Sequence, residues 1–171
     1  CDYRAGNVRS VRAAFERLGC TVGFADGPAA VADADLAVLP GVGSAGSAMA
    51  VLAERSLDTA LRDRHAAGGP ILGICLGLQL ALEESEEDGG VPGLGFVPGR
   101  AVRLVDGRVP RIGWAPVEPE GDAFYFAHSY AAETPAATAF SEGLVAEATA
   151  GSFLGVQFHP EVTHSEHGQR I

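Results

Sequence analysis

Apolar residues recur every three or four positions near the start of the chain, which predicts an amphipathic helix over residues 7–18. The apolar face of this helix consists of Val8, Val11, Phe15 and Leu18. Farther along, short unbroken apolar runs end in glycine or proline, as buried parallel strands do. The pattern predicts strands at residues 21–24, 36–39 and 71–74 and helices at residues 47–53, 56–67 and 76–84. This alternation predicts an α/β fold built on a doubly wound parallel sheet.

The second half of the chain has strand patterns with few helical periods between them. The predicted strands cover residues 102–105, 123–130, 145–149 and 153–158. We therefore expect a mostly parallel sheet with added antiparallel strands. The length fits a single domain over residues 1–171. The chain starts without methionine and stops within a helical pattern, which leaves open whether either end is truncated.

Composition argues against several classes of protein. The net charge of −10 disfavours a nucleic-acid partner, which would require a face of Lys and Arg. No apolar run approaches the roughly 20 residues that span a bilayer, and no secretion signal is present, so no membrane partner is expected. The cysteines Cys1, Cys20 and Cys75 are odd in number and far apart. That usage favours a reducing cytoplasm and one catalytic thiol.

The sequence Gly73-Ile74-Cys75-Leu76-Gly77 carries the strongest chemical signal. A reactive residue at a strand-to-helix corner, with glycine two places either side, is the nucleophile-elbow pattern with Cys in place of Ser. Glycine is expected there because a sharp corner brings the strand and helix backbones too close for Cβ atoms. A helix N-terminus also favours the thiolate, the nucleophilic form of cysteine. The alternative is a buried cysteine that merely ends a core strand.

A candidate base follows the last predicted strand, in Gln157-Phe158-His159-Pro160-Glu161. If the chain stays extended through Pro160, His159 and Glu161 point the same way, so the carboxylate can orient the imidazole. Both Cys75 and His159 lie at carboxyl ends of predicted parallel strands, where such sheets bind ligands. A loop histidine beside a solvated glutamate is the alternative. The combination of Cys75, His159 and Glu161 favours nucleophilic catalysis.

Two further patterns are ambiguous by themselves. Gly41, Val42 and Gly43 follow Pro40 and a predicted strand, and glycines there can turn backbone N–H groups towards a substrate oxygen, although an ordinary turn fits equally. His164 and His167 lack a third ligand at suitable spacing, so no metal site is predicted.

Together these motifs resemble the class I, or triad, glutamine amidotransferases, with their α/β, flavodoxin-like fold. The finer resemblance is to the glutaminase subunits of imidazole glycerol phosphate synthase. It rests on Asp2-Tyr3-Arg4-Ala5-Gly6-Asn7, Pro40-Gly41-Val42-Gly43, Ile112-Gly113-Trp114 and Phe124-Tyr125-Phe126-Ala127-His128-Ser129-Tyr130. The resemblance covers essentially the whole chain. Leu78 and Ala115 depart from the family's usual residues, and residues 162–168 look more like the glutaminase domain of GMP synthetase.

The resemblance implies a chemistry and a set of roles. Cys75 attacks the side-chain amide of glutamine, His159 passes the proton to the leaving ammonia, and Glu161 orients His159. The residues implied in substrate binding are Gly41, Val42, Gly43, Gln79, Glu87, His128, Ser129 and Tyr130. No cofactor and no metal is implied.

The resemblance also implies a partner. Ammonia passes to a cyclase, which is a (β/α)8 barrel that binds a phosphorylated nucleotide precursor. Trp114, interpreted as part of a loop between Pro110 and Pro116, is expected at that interface. The implied regulation is a nearly inactive isolated glutaminase whose Gly41–Gly43 backbone is realigned by the partner's ligand.

Three alternatives remain from the sequence. The first is the GMP synthetase glutaminase, which fits residues 162–168 but not Pro40–Gly43 or Phe124–Tyr130. The second is a catalytically silent binding subunit, for which an intact Cys75, His159 and Glu161 would have no use. The third is a flavodoxin-like ligand-binding module, which the missing phosphate loop disfavours.

Overall fold

The computed structural model describes Cys1 and residues 7–162 of the 171-residue chain. The helices in that part are α1 (Val8–Arg17), α2 (Pro28–Asp33), α3 (Ala45–Glu54), α4 (Leu57–Ala66) and α5 (Leu76–Ala81). The strands are β1 (Ala37–Leu39), β2 (Ile71–Ile74), β3 (Leu82–Ser85), β4 (Val91–Pro92), β5 (Val97–Arg103), β6 (Arg111–Val117), β7 (Asp122–His128), β8 (Tyr130–Glu133), β9 (Ala137–Ser141), β10 (Leu144–Ala150) and β11 (Phe153–Val156). A 3₁₀ turn covers Glu87–Gly89.

The central sheet has five strands in the order β1-β2-β11-β10-β9. Strands β1, β2 and β11 are parallel, whereas β10 and β9 continue the sheet in antiparallel fashion. Two smaller assemblies flank it, a four-stranded sheet β4-β3-β5-β8 and the antiparallel pair β6-β7. The α/β class and the antiparallel addition are confirmed, and the parallel strands are the ones that lead to the candidate site.

Each face of the central sheet has its own apolar core. One face packs against α2 to α5 and the four-stranded sheet, with Leu39, Ile71 and Phe153 pointing into this layer. The other face packs against α1 and the β6-β7 pair, where Phe124, Phe126 and Phe158 fill the space. Helices therefore cover both faces, as the doubly wound pattern predicts, but much of the second face is covered by a hairpin.

Several sequence predictions were wrong in their bounds or type. Residues 21–24 form no strand, because no neighbouring strand in the described part of the chain pairs with them. The helix predicted over residues 76–84 ends at Ala81, since Leu82 turns to extended geometry and β3 pairs with β4 and β5. The strand predicted at residues 102–105 overlaps only the end of β5, which runs from Val97 to Arg103.

The hairpin region also differs from prediction. The single strand expected at residues 123–130 is two strands, β7 and β8, separated at Ser129. Residues around Trp114 form β6 and not a loop, because seven consecutive residues pair with β7. Helix α2 and strand β9 were not predicted at all; both are short and gain their stability from tertiary contacts.

The close approach of α5 to β1 explains the glycine at position 77. A Cβ at Gly77 would lie 2.0 Å from the backbone oxygen of Leu39, and one at Gly73 would lie 2.7 Å from the backbone of Gly77. Backbone atoms cannot move aside as a flexible side chain can. The expectation that the elbow glycines admit close backbone packing is confirmed.

We predict that Gly77→Ala lowers the free energy of unfolding by about 3 kcal/mol, because the new methyl group overpacks against the β1 backbone. Urea unfolding followed by circular dichroism measures the change. Gly23→Ala is the matched control, since its Cβ meets no described heavy atom within 4 Å, and it should change stability by less than about 0.5 kcal/mol. Equal effects of the two substitutions would contradict this account of the elbow.

Candidate active site

Cys75 lies at the corner between β2 and α5, as the elbow pattern predicts. Its backbone has φ 51° and ψ −102°, outside the usual regions for a residue with a side chain. The corner is held by the Cys75 N–H, which donates to the Val156 carbonyl at 2.7 Å, and by the Cys75 carbonyl, which accepts from Gln79 N–H at 3.3 Å. The side chain is buried, 4% exposed. Strained backbone of this kind is typical of functional positions.

His159 and Glu161 meet as the sequence predicts, but along a different path. The Nδ1 atom of His159 lies 2.9 Å from Oε1 of Glu161, and both side chains are buried. The chain does not stay extended through Pro160, because Val162 N–H donates to the His159 carbonyl at 3.4 Å and closes a turn. The turn still places the carboxylate on the imidazole. This contact fixes the proton on Nδ1 and leaves Nε2 to act.

The electrostatics of His159 favour its charged form. Burial lowers the pKa of His159, but its neighbours Cys75 and Glu161 more than offset it, so the pKa rises to about 10. His159 Nε2 is buried and has no hydrogen-bond partner among the described residues. A buried, unpartnered ring nitrogen beside a thiol suits proton transfer.

Two contacts that sequence reasoning missed hold this pair in place. The Asn7 side-chain amide donates a hydrogen bond to Oε1 of Glu161. The His159 backbone N–H donates to the Tyr125 carbonyl of β7 at 2.8 Å, so the hairpin supports the histidine directly. Asn7 lies in a motif that carries the family resemblance, but nothing in its local pattern indicates a contact 154 residues away.

The predicted substrate residues around β7 and β8 lie close to Cys75. The sulfur is 4.0 Å from the Ala127 carbonyl, directly before His128. His128 Nδ1 and Gln79 Nε2 both donate to the Tyr130 carbonyl, each at 2.9 Å. The carbonyl of Ser129 accepts from Leu104 N–H, which fixes the turn between the strands.

The His128 side chain is held neutral. Burial is the largest cause that lowers the pKa of His128 to about 4; the Tyr130 carbonyl opposes it, and the charges of Arg111 and His159 add to it. Arg111 stacks over the Phe126 ring at 3.9 Å and directs NH1 towards His128 Nε2 at 3.4 Å. At neutral pH the His128 ring is therefore neutral and the His159 ring is protonated, so only His159 is poised to give up a proton.

The loop of Gly41, Val42 and Gly43 joins β1 to α3, beside Cys75. Here the Gly41 carbonyl accepts from the N–H of Leu76, at 3.4 Å. That N–H directly follows the nucleophile and is a natural donor to an oxyanion. In this conformation the Gly41 carbonyl therefore occupies the Leu76 N–H, which the expected chemistry requires to be free for the oxyanion. The prediction that the loop supplies N–H groups stays a prediction.

The side chain of Glu87, from the 3₁₀ turn, contacts the start of α3 and is not simply part of a solvated acidic run. Its Oε2 accepts from Ala45 N–H at 2.7 Å, while Asp88 Oδ2 accepts from Gly46 N–H at 3.0 Å. Burial raises the pKa of Glu87, which the Ala45 N–H opposes and the charge of Asp88 reinforces. A Cβ at Gly46 would meet the Asp88 carboxylate at 2.8 Å, which explains the glycine. These contacts tie Glu87 to the end of the Gly41–Gly43 loop.

Trp114 is on the solvent side of β6. It is 46% exposed, beside Ile112 on the same strand face, and its ring lies 5.8 Å from that of Tyr125. Tyr125 is also the residue whose carbonyl holds His159. An exposed tryptophan on the hairpin that supports the site is a candidate anchor for a partner.

Neither a metal site nor a membrane-spanning helix is found in the part of the chain that the structure describes. No three His, Cys, Asp or Glu side chains there are grouped to hold a metal, and His164 and His167 lie outside that part. None of its helices has the length and apolar character needed to cross a bilayer.

Comparison with known families agrees with this arrangement. The model of the class I glutamine amidotransferases matches residues 1–171. The chain therefore belongs to the class I glutamine amidotransferase family. Within this family, the chain is more similar to members of one particular kind.

The chain is similar to proteins named imidazole glycerol phosphate synthase subunit HisH. It is 47% identical to that of Symbiobacterium thermophilum, over 94% of this chain and 84% of the relative. It is 38% identical to that of Chlorobaculum tepidum, over 99% of this chain and 94% of the relative. Both alignments span more than nine-tenths of this chain.

Solved structures show the same fold at lower identity. A crystal structure of a glutamine amidotransferase superposes with a TM-score of 0.81 at 22% identity, covering 93% of this chain and 88% of that one. A putative GMP synthase protein from Thermoplasma acidophilum gives 0.74 at 21% identity, covering 98% and 85%. At these identities the likeness concerns the fold alone.

We predict that His159 stays protonated well above pH 7 and loses its proton near pH 10, whereas Glu161→Gln lowers that midpoint by at least one pH unit, because one anionic neighbour is removed. NMR titration of ¹³C-labelled histidine measures both midpoints. A folded-state pKa raised above 6.5 adds stability that is complete below pH 6.5 and lost as pH rises towards 10.

His128 is the internal control for this titration. Its pKa of about 4 keeps it neutral above pH 5 in both proteins. Titration of His159 near pH 6.5 in the unmodified chain would contradict the ion-pair account.

Proposed function

We propose that this chain is the glutaminase subunit of imidazole glycerol phosphate synthase, hydrolysing glutamine and passing ammonia to a cyclase subunit. The observation that carries the proposal is the buried set of Cys75, His159 and Glu161, with 2.9 Å between His159 Nδ1 and Glu161 Oε1. The identity to relatives that bear the HisH name, up to 47% among those described, supports the particular reaction.

The chemistry assigns one step to each of these side chains. The Cys75 thiolate attacks the side-chain amide carbon of glutamine, giving a tetrahedral oxyanion. The His159 imidazolium gives its Nε2 proton to the departing nitrogen, so ammonia leaves and a γ-glutamyl thioester remains. Water then attacks the thioester while His159 takes a proton from it, and glutamate leaves. Glu161 keeps the second imidazole proton on Nδ1 throughout.

Glutamine binding is assigned to the residues that surround Cys75. The β7-β8 corner, with His128, Ser129 and Tyr130, lies beside the sulfur through Ala127. Gln79 is fixed by the Tyr130 carbonyl at one side of this corner. Glu87 offers a carboxylate at the start of α3 for the α-ammonium group of the substrate. No cofactor or metal is needed for these steps.

Regulation is assigned to the Gly41–Gly43 loop. The Leu76 N–H is paired with the Gly41 carbonyl at 3.4 Å, so an oxyanion would have to displace that carbonyl. We propose that the isolated glutaminase is nearly inactive and that the cyclase, when it holds its own ligand, realigns this backbone so that its N–H groups face the oxyanion. Removing one oxyanion donor typically lowers the rate by about 10²–10³.

The cyclase interface is assigned to the exposed face of β6 around Trp114. In this proposal the phosphorylated precursor binds to the cyclase, in keeping with the acidic charge of this chain. Its product is imidazole glycerol phosphate together with the aminoimidazole carboxamide ribotide. We place the enzyme in the cytoplasm and, beyond glutamine and the cyclase, assign neither nucleic acid nor membrane as a partner.

The GMP synthetase glutaminase is the alternative enzyme. An identity of 21% to a putative GMP synthase protein concerns the fold, whereas the HisH relatives share 36–47% of the sequence. A silent binding subunit is disfavoured by the charged His159–Glu161 pair beside Cys75, because binding alone requires no buried ion pair.

We predict that glutamate release rises at least 100-fold when the chain is mixed with a histidine-pathway cyclase and its nucleotide ligand, compared with the chain alone. This follows from the oxyanion donors that the realigned loop would supply, each of which is typically worth about 10²–10³ in rate. A coupled glutamate dehydrogenase assay measures the rate. Cys75→Ala should abolish the increase. A properly formed complex without any increase would contradict the histidine assignment and favour the GMP synthetase or silent-subunit alternatives.

We predict that Trp114→Ala weakens cyclase binding by at least tenfold, because a large exposed aromatic side chain is a typical interface anchor. Isothermal titration calorimetry measures the dissociation constant. Leu36→Ala is the matched control, since Leu36 is also exposed. It precedes β1 at the amino ends of the parallel strands, whereas Cys75 lies at their carboxyl ends. Equal affinities for both variants would place the interface elsewhere.

A further inference from the structure

Two buried glutamines connect the β7-β8 corner to the candidate nucleophile. Gln79 is 5% exposed and Gln157 is fully buried, with apolar Val156 and Phe158 on either side of it in the chain. Gln79 Nε2 donates to the Tyr130 carbonyl at 2.9 Å and to Gln157 Oε1 at 3.1 Å. Gln157 Nε2 lies 3.4 Å from Cys75 Sγ. A buried amide is costly unless it is hydrogen-bonded, so these contacts specify the place of both side chains.

The Tyr130 carbonyl sets the direction of the hydrogen bonds that run through Gln79 and Gln157 to Cys75, a chain of contacts called the relay below. A backbone carbonyl can only accept, so the Tyr130 oxygen requires the NH₂ group of Gln79 to face it. The other hydrogen of that NH₂ then points at Gln157, so Gln157 must accept it with Oε1. The NH₂ group of Gln157 is therefore on the far side, facing the sulfur. Orientation of amide groups follows from the network in which they lie, and here the network has one fixed end.

We propose that Gln157 stabilises the thiolate form of Cys75 by donating an N–H to its sulfur, with Gln79 and the Tyr130 carbonyl as the groups that aim it. The inference rests on the proposed function, in which Cys75 is the nucleophile. A neutral thiol sulfur is a weak acceptor, whereas a hydrogen bond to a charged atom is about twice as strong as a neutral one. The amide thus discriminates between the two forms of the nucleophile.

The surroundings of the sulfur support this role. In its neutral form the thiol faces an acceptor, the Ala127 carbonyl at 4.0 Å. In its charged form it is next to the His159 imidazolium and receives the Gln157 N–H. Transfer of the proton from sulfur to His159 therefore exchanges a long contact to a carbonyl for a charge-assisted hydrogen bond.

The test is the pH dependence of thiolate absorbance at 240 nm, taken as the difference between the chain and its Cys75→Ala variant. Cys20→Ser in both proteins removes the exposed thiol, and the half-buried Cys1 cancels in the difference. We expect Gln157→Glu to move the midpoint of the titration upwards by at least one pH unit, because a donor is replaced by an anion of the same shape. We expect Gln157→Met to move it in the same direction by a smaller amount.

Gln157→Met also guards against misfolding, since it keeps the volume and adds no buried charge. Folding of each variant is checked by circular dichroism and thermal unfolding. In the complex with the cyclase, we expect kcat of Gln157→Met to fall about tenfold with KM within twofold. A folded Gln157→Met whose titration midpoint stays within 0.3 pH units of the parent would overturn the inference and leave Gln157 as a core-filling residue.

The absorbance titration requires neither glutamine nor cyclase. An upward shift in Gln157→Met together with no glutamate release in the cyclase assay would therefore count against the proposed function alone. Glutamate release that depends on Cys75, with no shift in the midpoint, would count against the relay alone.

Discussion

The parallel pairing of β2 with β11 is the constraint on which the site depends. Its register runs from Phe153 opposite Ile71 to Val156 opposite Ile74, and the Cys75 N–H extends it by donating to the Val156 carbonyl at 2.7 Å. Because the strands run in the same direction, the residues that follow them emerge at one edge of the sheet. The elbow at Cys75 and the segment from Gln157 to Glu161 are neighbours for that reason. If β11 slipped by one residue relative to β2, its side chains would face the other side of the sheet, and the two halves of the site would no longer meet.

Around this edge, polar groups are held by elements that do not belong to the central sheet. The β6-β7 hairpin grips the His159 backbone, the β7-β8 corner orients His128 and Gln79, and the residue before α1 reaches Glu161. Except for the contact between His128 and Tyr130, these contacts join segments that are far apart in the chain. A buried network of this kind is stable only when its members are satisfied together. The site is therefore a product of the whole fold, although its three principal side chains come from two short motifs.

The sequence allowed the α/β class and the positions of the candidate nucleophile, base and acid to be predicted, because each depends on a local pattern or a motif. It failed where pairing between distant segments decides the outcome. Residues 82–84 belong to a predicted helix, yet they form part of strand β3 because β4 and β5 flank them. Trp114 was placed in a loop by two prolines, whereas pairing with β7 makes it part of a strand. Gln157 was missed in a role of its own, although a polar residue between Val156 and Phe158 in a core segment was a usable signal.

The hydrogen bond between Leu76 N–H and the Gly41 carbonyl has an energetic consequence. A hydrogen bond of this kind contributes about 1 kcal/mol net, so by itself it accounts for only about a fivefold part of the proposed activation. A ligand that distinguishes the two orientations of one peptide unit by a few kcal/mol would therefore invert their populations. Small differences of this size are enough to couple the consumption of a nitrogen donor to the presence of its acceptor. In the proposed regulation, the direction of this carbonyl group would contribute to the suppression of futile hydrolysis at almost no expense to the stability of the fold.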